Sequence, residues 1–512
     1  MDSGQNMRCY MSNRSFVGVV VTVLAFAVMT AGTAVAQDAR AVLQAASTAM
    51  GAGNLKSVQI SGTGWNAAVG QSFNTGDDWP RFDVTRYSRT IDYDAKSSDE
   101  QITRRQGSYA PQGGGGTPIQ GEQQQHFLVS GNFAWNLQGT TAAPAAAAAE
   151  VRQLDIIMTP HGFIKAALAG SPTAVSRMQG NRKTTIVSFT ALGKYKVNGT
   201  INDQNQVDLV QTWIANPVLG DTVYETRYTE YKDYAGVKFP TVLHSHQGDV
   251  RLNPGHNVME IRVSSVQPNV TVAALAVPDN VRQARVEPLR VESQKMADGV
   301  WFLGGGSHNS LAVEFRDFMA VVDGPLNEER SLAVIAEVQK LVPNKPIRYV
   351  VNTHHHFDHS GGLRTYVAEG ATIITHQSNR AFYETVAFHP APRTLQPDRL
   401  SIAPRAPVFE TVNQKYVLSD GTRTLDLHLV QGLGHAQGML IAYLPKEKIL
   451  VNADLYSPPA QGAKPPASPT PTSVVLNNNI RRLGLDVAQH VPIHGRVGTG
   501  EEFSRIVGTT GN

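Results

Sequence analysis

Thr353-His354-His355-His356-Phe357-Asp358-His359-Ser360-Gly361-Gly362 packs several imidazoles and a carboxylate into one short stretch. Just upstream, Ile347-Arg348-Tyr349-Val350-Val351 is a short apolar, β-branched run that predicts a buried strand. The histidines therefore fall where that strand ends. Downstream, Gly361-Gly362 let the backbone turn tightly before a predicted helix over Leu363 to Glu369. On an extended backbone His354 and His356 point the same way, so two imidazoles can reach one cation. His355 points the opposite way and is not read as a ligand. Asp358 and His359 come one turn later and can hold a second cation nearby. With 16 His in 512 residues, a His-x-His-x-Asp-His string arises by chance in roughly one chain per thousand or fewer. The bland alternative is a solvated histidine cluster, and the strand-to-glycine setting weighs against it.

Three later segments extend the pattern: Gly434-His435-Ala436-Gln437-Gly438, Ile449-Leu450-Val451-Asn452-Ala453-Asp454 and Val491-Pro492-Ile493-His494-Gly495. Together with the first stretch they resemble the metallo-β-lactamase superfamily, in that family's order, over about Val291 to Val507. The resemblance implies an αβ/βα four-layer sandwich of the α/β class. It also implies a pair of divalent metal ions, with zinc the first choice and iron or manganese as alternatives. His354, His356 and His435 would hold the first metal, and Asp358, His359 and His494 the second, with Asp454 bridging them. Asp323, in Met319-Ala320-Val321-Val322-Asp323-Gly324, would brace the metal-bearing loop from behind. Asp454 follows Ala453 where a glycine is more usual. An aspartate there, rather than a thiol or serine, is more like glyoxalase II and lactonase relatives than the best-known β-lactamases.

The chain of 512 residues is too long for one ordinary core. A net charge of +3, with the basic residues scattered, gives no case for nucleic acid. The N-terminus reads as a secretory signal over 1–36. Arg8 and Arg14 give a basic start, Phe16 to Met29 are apolar, and Ala34-Val35-Ala36 precede a cleavage point before Gln37. The apolar run is short of the ~20 residues a membrane span needs, so no stable span is expected after cleavage. Cys9 is the only cysteine and lies in this segment, which leaves the mature chain without disulfide or thiolate ligand. The expected address is a bacterial periplasm or the cell exterior.

From 37 to 280 the texture predicts a mainly antiparallel β domain. Asp38 to Met50 should form its opening helix, capped by Asp38 and stopped by Gly51. Short alternating runs follow, with Asp203-Gln204-Asn205-Gln206 as a hairpin turn and Pro160 to Ala169 as a short helix. The pattern is similar to periplasmic lipoprotein-carrier half-barrels, which implies a concave sheet for an apolar ligand or, more blandly, a packing or oligomerisation domain. Gln112 to Gly121 and Gly139 to Ala149 read as flexible loops, and 281–290 as a linker. His161, His244, His246 and His256 have no partner at ligand spacing in sequence and are read as ordinary surface or satisfied histidines. Residues 291–507 form the predicted catalytic domain. There Asn327 should cap a helix with Leu332, Ile335, Val338 and Leu341 along one stripe.

The function expected from these readings is hydrolysis of a small-molecule carbonyl ester, thioester, lactone or amide by a metal-bridging hydroxide. Asp358 would orient that hydroxide and take its proton. The alternatives are a β-lactam hydrolase, an iron-dependent sulfur dioxygenase, and a periplasmic binding protein whose metal site is vestigial.

Overall fold

A computed structural model describes residues 38–108, 112–116, 118–180, 182–248, 257–464, 466 and 468–508. The expected signal segment, Cys9 and His256 lie outside them. No helix among the described residues is long and apolar enough to cross a membrane.

The opening helix, Ala39–Met50, starts where the Asp38 carboxylate accepts from Arg40 N at 2.9 Å and stops at left-handed Gly51. It buries Val42, Leu43, Ala46 and Met50. Thirteen strands among the described residues then form one antiparallel sheet. Its first six strands make one meander and its last seven another. The two join back to back where Ser57–Ala67 pairs with Asn257–Pro268. The sheet stays open, with Thr141–Pro144 at one edge and Thr173–Gln179 at the other. The helices Ala149–Met158 and Pro160–Ala169 connect the meanders and lie over one face, where Leu154, Met158 and Phe163 share a core with Val84, Val187 and Val210.

Two of the expected flexible loops are structured instead. Within Gly139 to Ala149, Thr141–Pro144 is an edge strand on Phe133–Gln138, and Ala142 packs with Trp135 and Leu137. Small side chains suffice because an edge strand has one neighbour to satisfy, and its terminal Pro144 interrupts no further ladder. The described part of Gln112 to Gly121 is pinned by Gly113 N donating to Gly434 O at 2.8 Å and Gly114 N to Gln71 O at 2.9 Å. Part of the linker is also ordered: Asp279–Gln283 is a short helix, and its Asn280 donates to Ala142 O.

The histidines read as ordinary or satisfied find their partners on neighbouring elements, which sequence spacing does not show. His244 Nδ1 lies 2.9 Å from Glu260 Oε2, its ring 4.5 Å from that of His246, and His246 Nδ1 3.4 Å from Glu225 Oε1. His161 is fully buried, stacked on Phe239 at 5.6 Å, with Nε2 3.3 Å from the Met50 carbonyl.

From Glu292 the chain builds two facing sheets. The first runs Glu292–Ala297, Val300–Gly304, Ser310–Glu314, Met319–Val322, Ile347–Val351, Thr372–His376, Phe409–Val412, and its last four strands pair in parallel. The second holds Lys415–Ser419, Thr424–Leu429, Leu440–Leu444, Ile449–Asn452, Gln489–Pro492 and Gly498–Thr499. Leu311, Val313, Val322, Val351, Leu427, Ala442 and Val491 fill the space between them. Helices Glu328–Leu341 and Leu363–Ala368 cover the outside of the first sheet, and Pro471–Leu483 with Gly500–Val507 the outside of the second. The result is the expected helix–sheet–sheet–helix sandwich. Asn327 caps its helix by accepting from Arg330 N at 3.0 Å. The proline-rich stretch after Phe388 docks on the antiparallel sheet: Arg393 donates to Pro217 and Val218 carbonyls, and Thr394 to Asp221.

Candidate metal centre

Five loops at one end of the sandwich converge on a single place. The loop after Ile347–Val351 brings His354, His356, Asp358 and His359, and the turn between Thr424–Leu429 and Leu440–Leu444 brings His435. Asp454 follows Ile449–Asn452, and His494 follows Gln489–Pro492. The fifth residue group, ahead of Ser310–Glu314, adds His308, which the sequence reading missed. Its only signal was a histidine placed between a glycine run and a strand, too weak to separate from a turn residue.

The bend of the main loop depends on its glycines. A Cβ on Gly361 would sit 2.0 Å from Leu326 O, and one on Gly362 2.8 Å from Gly324 O. Without those side chains the loop closes against Asp323, whose backbone is left-handed at φ 69°. The fully buried Asp323 accepts from Thr353 N at 3.2 Å and Thr353 Oγ1 at 3.1 Å, and its Oδ2 lies 2.6 Å from His359 Nδ1. This bond fixes the proton on Nδ1 and turns Nε2 toward the centre. Asp454 is also left-handed, φ 54°. Ala453 beside it is buried between the sheets, so its methyl has a place in the core and the usual glycine is not required.

The carboxylate of Asp454 stands between two sets of imidazoles. Its Oδ2 lies 3.3 Å from His354 Nε2, 3.2 Å from His435 Nε2 and 3.0 Å from His359 Nε2, and its Oδ1 lies 3.0 Å from His494 Nε2. Two groups of donor atoms result, each within 4.8 Å of one another: His354, His356, His435 and Asp454, and His308, Asp358, His359 and His494. All seven predicted ligands are brought together, with His308 added. His308 Nε2 lies 3.3 Å from Asp358 Oδ2, and its backbone carbonyl is held by the buried Arg330 at 2.9 Å. His355 is outside both donor groups, its Nε2 held by the Ser72 carbonyl at 3.0 Å, and His376 is occupied by Ser378 and the Asn413 carbonyl.

The donor set fits divalent metal ions. His354 Nε2, His356 Nδ1 and His435 Nε2 are buried without a hydrogen-bond partner, a costly state for ring nitrogens unless a cation takes their lone pairs. Burial, reinforced by neighbouring imidazoles, pushes His354 and His356 well below the usual histidine range, so both are in the neutral form that ligates. Burial alone would raise Asp454 and Asp358. The imidazoles outweigh it: His359 first for Asp454 and the His308 hydrogen bond first for Asp358 hold both below the ordinary carboxylate range. Burial alone would lower His359, but Asp454 and Asp323 push it up. His354, His356 and the two carboxylates are therefore set by their neighbours to present a lone pair or a negative charge at the same point. The two carboxylates beside His359 instead favour its protonated form until a cation displaces the Nε2 proton. Neutral imidazoles with carboxylates suit first-row divalent metals.

Residues 303–488 match the family model described as the metallo-beta-lactamase superfamily. The C-terminal region is a metallo-β-lactamase superfamily domain. A curated relative, the alpha subunit of a 2,4-dinitroanisole O-demethylase from Nocardioides sp. (strain JS1661), is 25% identical over 202 residues, covering 38% of this chain and 55% of that protein. The chain thus spans about half the length of that relative. Among solved structures, it is similar to a metallo-beta-lactamase from Pontibacter korlensis at 17% identity and TM-score 0.33, covering 43% of this chain and 98% of that one. A metallo-beta-lactamase from Hirschia baltica is 21% identical with TM-score 0.32, over 43% of this chain and 98% of that one. The rubredoxin oxygen:oxidoreductase from Desulfovibrio gigas is 16% identical with TM-score 0.34, over 43% and 60%.

Proposed function

We propose that the metallo-β-lactamase domain is a metal-dependent hydrolase with two cations, cleaving a carbonyl ester, thioester, lactone or amide of a small molecule. Two cations bound there would supply a hydroxide nucleophile near neutral pH and polarise the carbonyl under attack. The observation that carries this is the Asp454 carboxylate, within 3.0–3.3 Å of imidazoles from both donor groups. His354, His356 and His435 would hold the first cation, and His359 and His494 with Asp358 the second, with His308 at the same donor group. Asp358 would orient the attacking oxygen and accept its proton, with its own Oδ2 steadied by His308. Zinc is the proposed metal. The seven-residue donor set with an aspartate at 454 favours lactone and thioester substrates over β-lactams. The basic start and apolar run of residues 1–36 support a periplasmic or extracellular address.

A second reading comes from the curated relative. Its name is that of an O-demethylase, so aryl methyl ether cleavage is the competing activity. The test is turnover by the metal-loaded chain of a lactone, a thioester, a chromogenic cephalosporin and a nitroaryl methyl ether. The proposal predicts lactone or thioester cleavage that is lost in Asp358→Asn with folding intact. Unchanged activity in that variant sinks the mechanism, and turnover of the ether alone selects the second reading.

A further inference from the structure

The antiparallel sheet domain reaches into the metal centre chiefly through the loop of residues 68–80, between the strands Ser57–Ala67 and Arg81–Asp92. The Gly70 carbonyl accepts from Phe357 N at 3.3 Å. The Ser72 carbonyl lies 2.9 Å from His356 Nε2 and 3.0 Å from His355 Nε2. The Phe73 carbonyl accepts from Gln437 N at 2.7 Å, two residues past His435. Between these carbonyls the half-buried Gln71 side chain donates through Nε2 to Asp358 Oδ1 at 2.7 Å, while its Oε1 accepts from Gly115 N at 2.9 Å. Contact is close enough to demand glycine on both sides: a Cβ on Gly70 would lie 2.3 Å from the Phe357 ring, and one on Gly114 2.7 Å from His356 Cε1.

We infer that this loop is the outer support of the metal centre, and that Gln71 is a positioning residue for the second cation. The inference rests on the two-cation reading above. Two of its bonds fall on donors themselves. The Ser72 carbonyl takes the Nε2 proton of His356 and so leaves Nδ1, the unpartnered nitrogen, as the ligand atom. Gln71 occupies Oδ1 of Asp358 and thereby turns Oδ2 toward His308 and His359, at 3.3 and 3.6 Å. A glutamine amide does this without adding charge, and its orientation is fixed because Gly115 N requires the carbonyl oxygen. The sheet domain thus has a role at the site.

The test uses the full chain, Gln71→Ala, Gln71→Glu and Gln71→Asn, stripped with chelator and titrated with Co²⁺ against a competing indicator. Loss of an outer-sphere partner typically weakens metal binding by about 10–100-fold. The expected result is that weakening for the second equivalent in Gln71→Ala and Gln71→Glu, with the first unchanged within about twofold. The cobalt visible bands of the second site should shift. Metal-free melting temperatures should match wild type, since Gln71 is half exposed. Unchanged binding and spectra overturn the inference, as does equal weakening of both equivalents with a lowered metal-free melt. Recovery in Gln71→Asn of less than the Ala loss would also count against an amide-specific role. A wild-type chain that takes up no cobalt overturns the two-cation reading itself, a distinct outcome.

Discussion

Replacing Asp323 by Asn keeps the shape of a fully buried side chain and tolerates its left-handed backbone, yet removes its charge. Three donors converge on the native carboxylate: Thr353 N, Thr353 Oγ1 and, at 2.6 Å, His359 Nδ1. A carboxylate accepts all three, whereas an amide offers one oxygen and two protons. If the amide nitrogen faces His359, the imidazole must move its proton to Nε2, and the lone pair aimed at the centre is gone. If the oxygen faces His359, the amide N–H groups confront Thr353 N–H, leaving a buried donor unpaired at a cost of ~1–3 kcal/mol. Either way the second cation should bind about 10–100-fold more weakly, ~1.4–2.7 kcal/mol. The assay is competition with a chelating indicator, one equivalent at a time, beside metal-free denaturant unfolding. Second-site affinity within twofold of wild type would refute the argument that Asp323 sets the His359 tautomer.

Four further outcomes are expected. Burial lowers His161 and His490 to about 4 in the folded chain. Unfolded histidine binds its proton first as pH falls through about 6.5. In the metal-free protein the contribution of these two histidines should therefore be fully present above that pH and be lost, up to about 3 kcal/mol per histidine, between pH 6.5 and 4, a slope that His161→Gln should flatten in urea melts. Arg364→Met removes the bidentate partner of Asp398, held at 2.5 and 3.1 Å, and leaves it Arg393 at 3.5 Å and Ser401 N at 2.7 Å; unfolding free energy should fall by ~1–3 kcal/mol. Arg330→Met frees the His308 carbonyl and should weaken metal binding at the second site more than at the first, read by the same competition. Chelation should lower the melting temperature, since metal at 100 times its Kd contributes about 2.7 kcal/mol.

Local chemistry made much of the architecture legible. The Asp38 cap and Gly51 stop bound the first helix as observed, Asn327 opens the helix that returns the chain to Ile347–Val351, and the β-branched run there is a central strand. Of the seven donors, His354 and His356 were legible from alternation off the strand Ile347–Val351, and Asp358 and His359 from the turn that follows; His435, Asp454 and His494 were legible through the resemblance to the metallo-β-lactamase superfamily. What escaped has a common physical cause. His308, His244 and His246 gain their partners across strands or loops distant in sequence, and no periodicity encodes that. Gln71 and Ser72 act on residues 287 and 284 positions away. Thr141–Pro144 looked like a flexible loop because alanine and proline carry little strand preference, and one paired edge decides its state.

The proposed two-cation hydrolysis, with Asp454 standing between the two donor groups, is tested most directly by following lactone and thioester turnover of the metal-stripped full chain while zinc is added back in counted equivalents. Activity should rise chiefly with the second equivalent and end at two per chain. Full turnover at one equivalent, or none of either substrate at two, would contradict it.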